Sequence, residues 1–252
     1  MLAGLVLLVV TACGPATLPP GDQIADRDEI QNRDTHAFNV ALDTAVVGPV
    51  ANAYGDIVPR PVRQGIDNFS SNLDQPLYVA NNLLQLRIGH AIENTARFVV
   101  NTTVGIGGIF DVATAIGLPA RETGFGETMH IYGIPEGDYQ VLPVLGPSTT
   151  RDTVGRIVDF FGNPVQVLTG SPFIDTVVES PASEIVTGTS VASGLSARDE
   201  LDPVLRDIYE NSPDSYVTLR SLYLQNRRFE LGGADLTLED PLGEVLLDEA
   251  AQ

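Results

Sequence analysis

Residues Val99 to Leu118 read VVNTTVGIGGIFDVATAIGL, twenty positions carrying a single charge, Asp111. The length matches the span of a bilayer core, which takes about 20 residues as a helix. Asn101, Asp111 and four glycines speak against a lone membrane-crossing helix, because an unpaired charge in lipid costs roughly 2.5–3.5 kcal/mol even on insertion scales. A helix, a tight turn built on Gly105, Gly107 and Gly108, and a second helix fit better, embedded part-way in a bilayer or packed within the body. Arg97, just upstream, and Asp111 would then face a polar channel or pair with each other.

Outward from this stretch the same character repeats. Residues 35–47 (THAFNVALDTAVV) hold one charge, Asp43, and an apolar stripe of Phe38, Leu42 and Val46 widened by Ala37, Val40 and Ala41. Residues 61–73 predict an amphipathic helix with Pro61 in its first turn and Val62, Ile66, Phe69 and Leu73 on one side. Asp74 then reads as the cap of a further helix, with Pro76 just inside it and Leu77, Ala80 and Leu84 along a stripe. Residues 88–102 continue through Ile88, Ile92, Thr95 and Val99. The period changes at 126–145, where Met129–Tyr132 and Tyr139–Leu142 flank Pro135-Glu136-Gly137-Asp138, a hairpin signal. Helical spacing returns at Val154, Ile157, Val158 and Phe161, and again over 183–209. In the last helix Ser212 reads as the cap and Pro213 as the start. Tyr216, Leu219 and Tyr223 form its stripe, and Arg227, Arg228 and Gly232 mark its end. The fold class is mainly α, with one short β-hairpin.

The ends of the chain carry different signals. MLAGLVLLVV is an uncharged apolar run too short to span, suited to the core of a secretory signal over residues 1–12. Val10-Thr11-Ala12-Cys13 is a lipobox pattern, which makes Cys13 the acceptor of diacylglycerol. Stable anchoring takes two or more acyl chains, at about 0.8 kcal/mol per buried CH₂, and a processed lipobox cysteine carries three. Gly14 stands where an aspartate commonly retains such proteins at the inner membrane, which favours the outer one. Residues 13–31 read as a lipid-anchored flexible linker, 32–233 as the folded domain, and 234–252 as an acidic tail.

Composition removes several function classes. The formal charge is −19, from 33 acidic and 14 basic residues, the reverse of a nucleic-acid footprint. Every basic residue is arginine, so no lysine can serve a phosphate loop, a Schiff base or general-base catalysis. His36, His90 and His130 lie far apart, and the single cysteine is committed to lipid, so neither a metal site nor a disulfide is expected. Gly188-Thr-Ser190-Val-Ala lacks the closing glycine of a nucleophile elbow. Gly105-Ile-Gly107-Gly108-Ile-Phe110 fails as a dinucleotide fingerprint, since Phe110 occupies the third glycine position. No residue stands out as catalytic and no cofactor is expected.

One resemblance covers roughly Asp28 to Gly233. Asn32-Arg33, Ala37-Phe38-Asn39, Leu42-Asp43, Val58-Pro-Arg-Pro-Val-Arg63 and Asn68-Phe69 occur in the order found in the MlaA/VacJ family of phospholipid-binding outer-membrane lipoproteins. Arg97-Phe98, Asn101-Thr-Thr-Val-Gly105, Gly107-Gly108, Phe110-Asp111, Phe125-Gly-Glu-Thr128 and Leu145-Gly-Pro-Ser148 continue the match. The chain departs from the family at Asp28–Gln31, where an aromatic and a proline are missing. The resemblance implies a helical, ring-shaped domain in one leaflet of the outer membrane, around an amphipathic channel. Phospholipids misplaced in the outer leaflet would pass through it to a soluble periplasmic carrier, beside trimeric porins. It also makes Phe38 and Asn39 candidates for a gate. Two other readings compete: a structural, porin-associated envelope lipoprotein that moves no lipid, and a periplasmic lipid hydrolase.

Overall fold

The computed structural model describes residues 25–163, 165 and 181–232, so the expected signal peptide, Cys13 and acidic tail lie outside the described residues. Among the described residues the chain is mainly helical, 73%, with one two-stranded antiparallel sheet. The helices are α1 (Glu29–Leu42), α2 (Gly48–Ile57), α3 (Arg60–Leu84), α4 (Ile88–Thr103), α5 (Val112–Ala115), α6 (Phe125–Ile131), α7 (Thr150–Gly162), α8 (Pro181–Glu200), α9 (Asp202–Asn211) and α10 (Ser215–Glu230). Strands β1 (Tyr139–Leu142) and β2 (Gly146–Thr149) lie between α6 and α7.

Contacts between these elements close a circuit. α1 continues through a π-helical turn, Asp43–Val47, into α2, and α2 packs on α8. α8 packs on α3, α3 on α6, α6 on α7, α7 on β2, and β1 returns to α1. A ring of elements therefore forms from one chain. The α3–α4 hairpin is its most extensive single contact, and α10 seals the seam by packing on β2. The small apolar core lies at that seam, where Tyr139, Val141, Tyr216 and Leu224 cluster with Tyr223.

Several expectations from sequence need correcting. The strand partner of Tyr139–Leu142 is Gly146–Thr149, with Tyr139 opposite Thr149 and Leu142 opposite Gly146. Met129–Ile131 instead completes α6, which packs on α7. Gly155 allows that packing, because a Cβ there would sit 2.4 Å from the Gly126 nitrogen. The chain reverses between the strands at Val144 and Gly146, both with positive φ. Asp74 caps no helix, since α3 runs unbroken for 25 residues with Pro76 inside it. An interior proline costs about 3 kcal/mol, and the packing of α3 on both α4 and α8 outweighs it. The last helix starts at Ser215, because the Asp214 side chain accepts the Val217 N–H.

The body also begins earlier than Asn32. The Ala25 carbonyl accepts the Tyr139 N–H at 2.7 Å. The Asp26 carboxylate accepts from Asn32, Tyr216 and Arg220. Residues 25–31 thus belong to the folded ring rather than to a linker.

Candidate functional site

In a water-soluble fold, asparagine and arginine lie outside and aliphatic side chains inside. Here the described residues invert the rule. Eighteen buried side chains are polar or charged and only eight are apolar, three of these alanine, while large aliphatic and aromatic side chains stand exposed on nearly every helix. α3 buries Arg63, Asn72, Gln75, Asn81 and Asn82, and it exposes Val62, Leu83 and Leu84. α4 buries Ala91, Asn94, Arg97 and Asn101, and it exposes Ile88, Ile92 and Val99. The apolar stripes of α3 and α4 legible in the sequence therefore face outward, whereas Tyr216 and Tyr223 of the last helix join the small core. No described helix is long and apolar enough to cross a membrane.

A polar interior must satisfy its own hydrogen bonds, and asparagine does this by imitating backbone. The Asn94 amide donates to the Arg121 carbonyl at 2.8 Å and accepts the Arg121 N–H at 3.2 Å. Asn32 brackets Val141 N–H and Tyr139 C=O in the same way, at 2.9 and 3.1 Å. Asn39 does so for Val144 N–H and Leu142 C=O, at 2.8 and 2.9 Å. Each amide replaces a missing ladder partner, Asn94 for the segment at Arg121, Asn32 for the open edge of β1 and Asn39 for the strand turn. Asn39 is thus a staple between α1 and the strand turn, whereas Phe38 beside it is half exposed.

The glycine turn after α4 is tied down by a charged knot. Arg97, 5% exposed, donates to both oxygens of Asp111 at 3.1 and 3.0 Å and to Thr114 Oγ1 at 3.1 Å. Asn101 donates to Asp111 Oδ1 at 3.0 Å and accepts the Ala113 N–H at 2.9 Å. Asp111 also caps α5 by accepting the Thr114 N–H. Of the two arrangements open to Arg97 and Asp111 from sequence, the pair is the one that forms. Gly107 and Gly108 take positive φ, 73° and 103°. A Cβ on Gly105 would lie 2.2 Å from the Phe110 carbonyl oxygen, so only glycine fits there.

A cavity of about 640 Å³ opens between α3, α6, α7 and α10. Tyr78, Thr123, Tyr223 and Asn226 line it together with five carboxylates, Glu122, Glu127, Asp152, Asp159 and Glu230, and two arginines, Arg156 and Arg227. Burial alone would raise Asp152, but hydrogen bonds from Arg227 (3.0 Å to each oxygen) and Tyr223 (2.7 Å) outweigh it and hold the carboxyl below its ordinary range. Burial raises Asp159, opposed by the Phe125 N–H and the Asn81 amide. Asp74, close behind the wall, is lifted to about 6 by burial and by Glu122 nearby, with Asn163 pulling the other way. The walls are hydrophilic and wide enough for a polar headgroup. Sequence reading missed this lining, because its residues run from Tyr78 to Glu230 and no local pattern joins them.

Among the described residues one serine–histidine contact exists, Ser215 Oγ to His36 Nε2 at 2.9 Å. The Asp214 carboxylate beside it is committed to Arg33 and the Val217 N–H, and the His36 ring lies edge-on to Tyr216. These contacts dock α10 on α1. Among the described residues no group of three metal-binding side chains comes together.

Comparison with known proteins agrees with this geometry. A protein of Escherichia coli named intermembrane phospholipid transport system lipoprotein MlaA is 33% identical over 238 residues, covering 90% of this chain and 88% of that one. The protein of the same name from Haemophilus influenzae is 29% identical over 240 residues, 92% and 90% of the two chains. An uncharacterised Rickettsia felis protein is 34% identical over 200 residues, 79% and 75%. A solved structure concerned with the structural basis for maintenance of bacterial outer membrane lipid asymmetry aligns with a TM-score of 0.68 at 33% identity, covering 82% of this chain and 99% of the other. The MlaA lipoprotein family model matches residues 24–230. The chain belongs to the MlaA lipoprotein family.

Proposed function

We infer that this chain is the outer-membrane lipoprotein of an intermembrane phospholipid transport system, removing phospholipids from the outer leaflet to maintain lipid asymmetry. The observation that carries this reading is the inverted burial: polar side chains fill most of the interior while the apolar stripes of α3 and α4 face out. Such a body leaves its apolar surface uncovered in water and covers it among acyl chains, at roughly 25 cal/mol per Å² of apolar area. In this reading the ring lies within one leaflet, which suits helices none of which, among those described, is long and apolar enough to cross. Acylated Cys13 would hold it there on the periplasmic side.

In this reading the headgroup passes along hydrophilic walls such as those of the cavity beside Tyr78 and Tyr223, and the acyl chains stay against apolar surface. Asn39 and Phe38 on α1 are candidates for a gate, since the Asn39 bracket at Leu142 and Val144 is the contact that a movement of α1 would break. Asp111 and Arg97 would keep the glycine turn shaped beside the passage. A soluble periplasmic carrier would receive the lipid, and trimeric porins would seat the ring. The same name borne by the Escherichia coli and Haemophilus influenzae relatives supports the reading.

The test is deletion and complementation. Deletion should raise outer-leaflet phospholipid, the intact gene should restore asymmetry, and purified protein should carry intact phospholipid by mass spectrometry. Release of lysophospholipid or fatty acid on incubation would point to a hydrolase instead. A porin-bound protein carrying no lipid would point to a brace.

A further inference from the structure

Among the described residues, three that are not glycine adopt positive φ: Leu86 at 58°, Ile106 at 55° and Val144 at 68°. All three are aliphatic, two are β-branched, and all are exposed, by 78%, 66% and 68%. Each sits at the tip of a turn: Leu86 between α3 and α4, Ile106 in the glycine turn, and Val144 between the strands. Glycine or asparagine is the ordinary occupant of such a position, and a β-branched side chain is the costliest. In water these tips are penalised twice, once by backbone strain and once by exposed hydrocarbon. Hydrogen bonds around each tip fix the conformation, among them Arg87 N–H to Asn82 C=O, Gly107 N–H to Thr102 C=O, and Val144 N–H to Asn39 Oδ1. The side chains contribute nothing to the fold that glycine would not, so their value lies outside it.

We propose that Leu86, Ile106 and Val144 are three insertion points that set how deeply the ring sits among phospholipid acyl chains. The occupant is hydrocarbon, because each tip continues an exposed apolar surface rather than standing alone. Leu83, Leu84 and Ile88 surround the first, Val104 and Phe110 the second, and Leu145 the third. The inference rests on the embedded reading given above and adds where the contact is made.

The test uses the full chain in vesicles of phosphatidylethanolamine and phosphatidylglycerol containing a lipid with a photoreactive group midway along its acyl chain. Adducts mapped by mass spectrometry should appear at all three tips. The triple variant Leu86→Asn, Ile106→Asn, Val144→Asn should lose them, keep its helical circular dichroism, and unfold at higher urea because asparagine relieves the strain. Adducts at Ile92 and Val99 without any at the tips would overturn the proposal and leave the embedded ring standing. Adducts nowhere on the protein would overturn both. Crosslinks in whole cells that join the tips to a protein rather than to lipid would also overturn it.

Discussion

Asn94 and Ile92 share one helix two residues apart, and the inverted interior assigns them opposite roles. Asn94 is fully buried and its amide holds both backbone groups of Arg121. Asn94→Leu keeps the volume but strips the part-buried Arg121 N–H of its acceptor and leaves its C=O only the longer Asn82 contact at 3.4 Å, each loss costing about 1–3 kcal/mol. The expected loss is about 2–6 kcal/mol, a large part of the 5–15 kcal/mol typical of a folded domain. Ile92 is 64% exposed, so Ile92→Gln should change stability by no more than about 0.5 kcal/mol. Urea unfolding of detergent-solubilised protein, followed by circular dichroism, measures both. In an ordinary soluble fold the order would be reversed. A neutral or stabilised Asn94→Leu beside a strongly destabilised Ile92→Gln would refute the assignment of inside and outside.

Other consequences follow from particular contacts. Arg97→Met strands Asp111 at the glycine turn; loss of one partner of a buried pair costs 3–5 kcal/mol, and Asp111, whose side chain is 28% exposed, places the effect near about 3. Adding Asp111→Asn should return part of that loss, which a double-mutant cycle reads directly. Asp74 has its folded-state pKa raised to about 6 from an ordinary 3.8. Because the folded state then binds the proton more tightly than the unfolded one, stability should rise as pH falls from 7 towards 4, by no more than about 3 kcal/mol. Asp74→Asn should flatten that part of a pH series of melting curves. Gly155→Ala places a methyl against the Gly126 backbone and should cost about 1–3 kcal/mol by overpacking, visible as a lower melting temperature.

Much of the ring was legible because helical periodicity survives inversion. A stripe recurs every three to four residues whether it faces a core or a lipid, so Val62, Ile66, Phe69 and Leu73 marked α3 correctly. Direction was harder to read, since nothing in the spacing of Ile88, Ile92 and Val99 says which side they face. The informative residues were their opposites, Asn94, Arg97 and Asn101, whose burial becomes visible only when their partners across the chain are known. Breaks were misread where tertiary packing overrides local preference, at Pro76 within α3 and at Met129–Ile131 in α6. The strand turn was missed because the first of its two left-handed residues is Val144, not the glycine or asparagine that marks such turns in sequence. The site was legible only in part. The Arg97–Asp111 pair and the glycine turn stood out as charge and glycine in a charge-poor stretch. The cavity wall draws on residues from Tyr78 to Glu230, which no local pattern connects.

The central claim is that the outward stripes meet hydrocarbon while the interior wall meets water. It is tested most directly by nitroxide labels placed one at a time at Ile92→Cys, Val99→Cys and Glu122→Cys in the full chain in vesicles. Relaxation by dissolved oxygen, which concentrates in hydrocarbon, is set against relaxation by a water-soluble nickel chelate. Labels at 92 and 99 should respond to oxygen and scarcely to nickel, and the label at 122 should respond to nickel. Nickel reaching 92 and 99 as freely as 122 would contradict the claim.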